Sequence, residues 1–95
     1  MGYKTARWIR LRKQILLRDK GQCQECKRYG RSREATTVHH IEPDRPELFW
    51  IRDNLISLCG ECHNGMHDRR ENVLTPTGEF WRNRRLRKIP PPNKF

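Results

Sequence analysis

The 95-residue sequence carries 21 lysines and arginines against 11 aspartates and glutamates, a net charge of +10, and only 34% of its residues are apolar. So little burial in one small domain calls for a staple beyond the hydrophobic core. No apolar run reaches the length of a membrane span or a signal-peptide core, and the charge excess points to a polyanion, nucleic acid first, because closely spaced phosphates reward many cations through counterion release.

The first predicted element is a helix over about 5–20. Trp8, Leu11 and Ile15 recur at three- and four-residue steps with Leu16 adjoining, Arg7, Arg10, Lys13 and Arg18 fall mainly elsewhere on the wheel, and Gly21 supplies a stop. A polar, arginine-rich, hairpin-like stretch holding Cys23 and Cys26 follows. Residues 35–41 read as a strand on Thr36, Thr37, Val38 and Ile41, residues 42–53 as an extended loop with Pro43 and Pro46, and residues 54–58 as a short second strand. From Cys62 to about Arg70 a helix is predicted, which sets His63 and His67 on one face. Beyond Val73 the chain is expected to be irregular: Thr75-Pro76-Thr77-Gly78 as a loop, a basic run over 82–88, and Pro90, Pro91 and Pro92, which forbid a terminal helix. One domain over 1–74, with its core at about 23–70, and a basic, proline-rich extension over 75–95 is the division this suggests.

Cys23 and Cys26, then Cys59 and Cys62, form two C-x-x-C pairs. Each such turn aims two thiolates at one tetrahedral ion, and two turns complete the shell. Disulfides would need an oxidising compartment, and a thioredoxin-like site needs one pair beside a βαβ pattern, so a closed four-cysteine zinc site is expected, with folding energy as its task.

All four histidines lie close to this frame. A strand ending in His39, a return strand and a crossing helix would bring His63 and His67 to His39, where two or three imidazoles can hold a divalent cation with positions left open. Neighbouring strand residues point to opposite sides, so of His39 and His40 one ligates and the other can act as a base. His67 stays open between a ligand and a solvated helix histidine.

Val38-His39-His40-Ile41, then Asn54-Leu55, then Cys59-Gly60-Glu61-Cys62-His63 resemble the HNH (His-Asn-His) endonuclease motif, over roughly residues 8–70. The Pro46-Glu47-Leu48-Phe49-Trp50 run is similar to phage-type members found beside DNA-packaging terminase genes. The resemblance implies a small α+β fold with a ββα-metal (His-Me finger) core, stapled by the zinc, with an N-terminal helix and a basic C-terminal extension. It implies that His40 is the general base, His39 the first metal ligand, Asn54 the middle residue that fixes His40 through the loop backbone, and His63 the helical ligand. It further implies DNA cleavage to 5′-phosphate and 3′-hydroxyl ends with one divalent ion. Two departures stand out. His39 occupies a place where many phage-type members resembling this chain carry Asp, which favours Mn, Ni, Co or Zn while still admitting Mg. His67 looks like the third imidazole of the colicin-nuclease version.

Trp8, Phe49 and Trp50 read as core or loop anchors. Arg69, Arg70, Arg82, Arg84 and Arg85 are candidate phosphate contacts. The expected partners are DNA and, by analogy, a phage terminase or portal protein, with no membrane, for a cytoplasmic monomer or weak dimer. The competing expectation is a non-catalytic, zinc-stabilised DNA-binding module, which would have no need of His39, His40 and His63.

Overall fold

The computed structural model describes residues 5–68 and 73–89. Helix α1 (Ala6–Arg18) starts where the Thr5 hydroxyl accepts the Trp8 amide, and its Trp8, Leu11 and Ile15 stripe is buried. Lys20 and Gly21, both at positive φ (58° and 67°), end it, with the Gly21 amide on the Leu16 carbonyl at 2.8 Å. Asp19 beside them is a buried carboxylate held by Arg18 at 2.8 and 2.9 Å and by the Ser57 amide at 3.1 Å. Burial pushes its pKa up, but the Arg18 guanidinium and the Ser57 contacts outweigh that and leave it below the usual value. The end of α1 is thereby tied to the sheet.

The stretch expected to be hairpin-like closes through a Gln22–Glu34 bridge, but it contains a helical turn, α2 (Gln24–Arg28). Strands β1 (Thr37–His40) and β2 (Leu55–Leu58) pair antiparallel, Thr37 opposite Leu58 and His40 opposite Leu55. Side-chain alternation splits the core into two clusters. Val38 and Leu55 pack with the α1 stripe, whereas Ile56 and Leu58 join Cys23, Cys26, Cys59, Ile41 and Met66 on the other side. The 42–53 connection carries two 3-10 turns, Pro46–Leu48 and Arg52–Asn54.

Helix α3 (Gly60–Asn64) is shorter than the predicted helix to Arg70. Gly65 takes the Glu61 and Cys62 carbonyls on its amide and ends it, after which β3 (His67–Asp68) pairs with β4 (Val73–Leu74). An Asn-Gly step is a helix-stop signal, and it applies here.

The larger correction concerns the chain beyond Val73. Residues expected to be irregular form helix α4 (Pro76–Arg85): Thr75 accepts the Gly78 amide at 3.2 Å, and Pro76 takes the first helical position, where its missing N–H leaves no bond unmade. Trp81 and Leu86 are buried in the cysteine-side cluster, and the Trp81 indole donates to Glu25 at 2.7 Å. Arg69, Arg70 and the three C-terminal prolines lie outside the described residues. No helix among the described residues is long and apolar enough to cross a membrane.

Gly78 is where α4 meets Met66, just before β3, and Leu74 of β4, and a Cβ there would stand 2.3 Å from the Met66 carbonyl oxygen. Gly78→Ala is therefore expected to lower stability by roughly 1–3 kcal/mol although alanine is the better helix former. A thermal melt of the metal-loaded variant checks this; an unchanged midpoint would contradict the close approach.

Candidate active site

Each C-x-x-C pair opens a helix: Cys23 is the N-cap of α2 and Cys59 the N-cap of α3, with Cys26 and Cys62 one turn in. Helix N-termini favour thiolates. The Cys26 sulfur lies 3.9 Å from that of Cys59 and 3.7 Å from that of Cys62, and all four sulfurs fall within 4.8 Å of one another. A tetrahedral ion with metal–sulfur bonds of about 2.3 Å sets its sulfurs roughly 3.8 Å apart. None of the four cysteines is in a disulfide, and the 3.7 and 3.9 Å separations from Cys26 are well beyond an S–S bond.

The charges point the same way. Burial raises the Cys59 pKa, but the Cys62 amide and thiol and the Arg33 guanidinium pull it down to about 6. Burial and the neighbouring sulfurs push Cys62 well up, and Cys26 also shifts up. Cys59 therefore ionises readily while Cys26 and Cys62 resist, and a bound cation would favour the thiolate form of both. These cysteines are positioned to hold a metal ion.

On the sheet face toward α3, the His39 ring lies 4.6 Å from the His63 ring and 4.8 Å from the His67 ring, centroid to centroid. His67 reaches this place from β3 and not from one turn further along a helix. Its Nε2 donates to the Ile41 carbonyl at 3.1 Å, which leaves the Nδ1 lone pair directed at His39 Nε2, also 3.1 Å away. Two nitrogens on one ion with bonds of about 2.0–2.1 Å lie roughly 3.3 Å apart in a tetrahedral shell, so the pair is close to ligand spacing. The sulfurs are the tighter set: among the described residues they alone form a group of three or more with all ligand atoms within 4.8 Å.

His40 faces the other way. It is buried, stacked on Trp8 at 5.4 Å and tilted against Phe49 at 4.4 Å. Its Nε2 donates to the Phe49 carbonyl at 3.1 Å, so the neutral ring carries its lone pair on Nδ1. Burial pushes its pKa below the ordinary 6.5, with the Phe49 carbonyl opposing in part, so the ring is neutral and able to accept a proton at pH 7.

Asn54 is fully buried. Its carboxamide oxygen accepts the Glu42 amide at 2.8 Å, and its nitrogen donates to the Glu42 and Leu48 carbonyls at 3.3 and 3.1 Å. Leu48 precedes Phe49, whose carbonyl orients His40, so the carboxamide fixes the loop that fixes the ring.

Of the candidate phosphate contacts, Arg84 is exposed and Arg85 lies over Trp81 at 5.2 Å. Arg82 is placed differently: it is buried, donates to the Leu86 and Ile89 carbonyls, and lies 3.5 Å from Glu42. Its work is to join α4 to the Asn54 loop. That role, and those of Glu42 and the Phe49 carbonyl, have no sequence signature, since they arise from packing between distant segments.

A two-stranded hairpin followed by a short helix, with strand and helix imidazoles in contact and four cysteines beneath, is a ββα-type metal-nuclease fold. A family model described as HNH endonuclease matches residues 23–69. The crystal structure of the HNH endonuclease of the deep-sea thermophilic bacteriophage GVE2 with manganese ion is 36% identical, with a TM-score of 0.64 over 65% of this chain and 70% of that one. Comparison with curated proteins returns no match. The chain belongs to the HNH endonuclease family and is a DNA endonuclease, which sets aside the non-catalytic module.

Proposed function

We propose that the protein hydrolyses DNA phosphodiester bonds with His40 as general base, beside one divalent ion held by His39, His63 and His67, while Cys23, Cys26, Cys59 and Cys62 hold a structural zinc. The observation that carries this is the division of labour across β1, where His39 meets two imidazoles and His40, next in sequence, is held neutral on the opposite face. His40 takes a proton from the water that attacks phosphorus, the P–O3′ bond breaks, and the leaving O3′ takes a proton from solvent water, giving a 5′-phosphate and a 3′-hydroxyl. When bound, the divalent ion neutralises charge growing on the phosphate and on the leaving oxygen. Asn54 keeps the Phe49 carbonyl, and through it His40, in register.

One such site cuts one strand, so a nick is the unit event, and a double-strand break needs two visits or a weak dimer. An all-imidazole ligand set favours Mn, Ni, Co or Zn over Mg, which accords with the manganese in the GVE2 structure. By analogy alone, from the resemblance of the Pro46–Trp50 run to phage-type members, the proposal extends to a cytoplasmic accessory role in DNA packaging, with a terminase or portal protein as partner.

The test is supercoiled plasmid incubated with zinc-loaded protein and Mg, Mn, Ni, Co or Zn. Nicked circles followed by linear DNA are expected, faster with Mn or Ni than with Mg. Plasmid left intact across the whole panel would overturn the proposal.

A further inference from the structure

Arg7, Arg10 and Gln14 of α1, with Trp50 and Arg52 from the connection between β1 and β2, enclose a cleft of about 210 Å³ beside Leu11. Five other arginines, Arg18, Arg28, Arg33, Arg45 and Arg82, each meet a carboxylate. Among the described residues no ion pair involves Arg7, Arg10 or Arg52, and no carboxylate lines the cleft. Three converging guanidinium groups without counter-charge repel one another, so the fold gains nothing from placing them together. Arg7 is also pre-organised, with its guanidinium 3.8 Å from the Trp50 ring centroid.

The cleft adjoins the proposed base. Trp50 packs on Phe49 at 4.7 Å and on Trp8 at 6.4 Å, and those two rings clasp His40. A strand whose scissile phosphate lies at His40 therefore has further phosphates within reach of this wall. The chemistry suits a phosphodiester: planar guanidinium forks pair with phosphate oxygens, a glutamine amide adds a donor, and the volume admits a phosphate with part of its sugar.

We propose that this cleft is a phosphate subsite of the nuclease, in which Arg7, Arg10 and Arg52 hold backbone phosphates flanking the scissile bond and Trp50 fixes Arg7 in place. The proposal rests on the DNA-cleaving function above and adds where the strand is gripped.

The test compares two double variants that remove equal charge from exposed positions: Arg7→Ala with Arg10→Ala in the cleft, and Lys27→Ala with Arg87→Ala, which line concavities at α2 and α4. Each is made in the full chain with zinc, checked by thermal melting, and titrated against a short duplex in the His40→Ala background at several salt concentrations. The cleft pair should weaken binding about tenfold or more and reduce the salt slope by roughly 2, one phosphate contact per arginine; the control pair should change Kd by less than about twofold. Arg10→Glu, which leaves the Arg7–Trp50 stack in place, should weaken binding in the same direction. Equal losses from the two pairs would reduce the effect to net charge and overturn the subsite, as would a cleft pair that binds like the parent. Parent protein that binds duplex but never cuts plasmid with His40 present would instead sink the cleavage reading, and the subsite would still be decided by the same Kd values. Failure of the parent to bind DNA would overturn both.

Discussion

Replacing His40 with alanine is expected to lower plasmid nicking by about 10²–10⁴-fold while zinc content and DNA affinity stay near those of the parent. The ring faces away from the His39, His63 and His67 cluster, so its loss removes no proposed metal ligand. It is, however, buried between Trp8 and Phe49, so alanine also leaves a cavity, and some loss of stability must be separated from loss of chemistry. His40→Gln makes that separation. A glutamine amide can still donate to the Phe49 carbonyl and fill much of the space, yet it cannot accept a proton near neutral pH. Both variants should therefore be inactive, with the glutamine variant melting closer to the parent. Retained nicking by either one would move the base to another residue. An Asn54 substitution should behave differently: the carboxamide holds the loop and touches no reacting atom, so its loss should lower activity and stability together.

The sequence carried the β1/β2 unit because alternation in a strand is a strict period: Val38 and His40 must face one way and His39 the other, whatever packs against them. The cysteine frame was legible for a similar reason, since a C-x-x-C turn is local geometry and its ligand spacing survives in any fold. Local punctuation is ambiguous in the same sequence. Pro76 suits a loop as well as a helix, and it starts a helix here because Thr75 caps it, while Asn64-Gly65 stops a helix that the His63–His67 spacing alone would extend to Arg70. The position of Arg82 depends on α4, so charge pattern alone points it to phosphate, whereas packing turns it to Glu42 and the Leu86 carbonyl. His67 reaches His39 by another route than its sequence spacing suggests: helical spacing places it there, and it lies there because β3 folds back against the Ile41 carbonyl.

Removing the proposed zinc, by a strong chelator or by Cys59→Ala, is expected to unfold the protein rather than to lower its activity in steps. Cys23, Cys26 and Cys59 are themselves core residues, packed with Ile41, Leu48, Ile56, Leu58, Met66, Trp81 and Leu86, so the ion sits within the larger cluster. The remaining cluster is small, resting chiefly on Trp8, Leu11, Ile15, Val38 and Leu55. Structural zinc contributes about 10–16 kcal/mol of apparent binding energy at pH 7, against total stabilities of about 5–15 kcal/mol for ordinary domains. With 34% of the chain apolar, burial alone has no comparable reserve. Burial first, and then the neighbouring sulfurs, shift Cys26 and Cys62 up, so without the ion these two stay neutral thiols in a site spaced for thiolates. Far-UV circular dichroism and tryptophan emission, to which the buried Trp8 and Trp81 contribute, should change together on chelation and recover on adding zinc. Cys62→His, at the most exposed of the four positions, should keep both metal and fold, because three thiolates and an imidazole still close a tetrahedral shell. Apo protein that kept its secondary structure would mean that the +10 chain has found its stability elsewhere. Because β2 runs directly into Cys59 and α3 carries both Cys62 and His63, unfolding around the sulfurs must also scatter the imidazoles, so chelation should end cleavage even with excess manganese present.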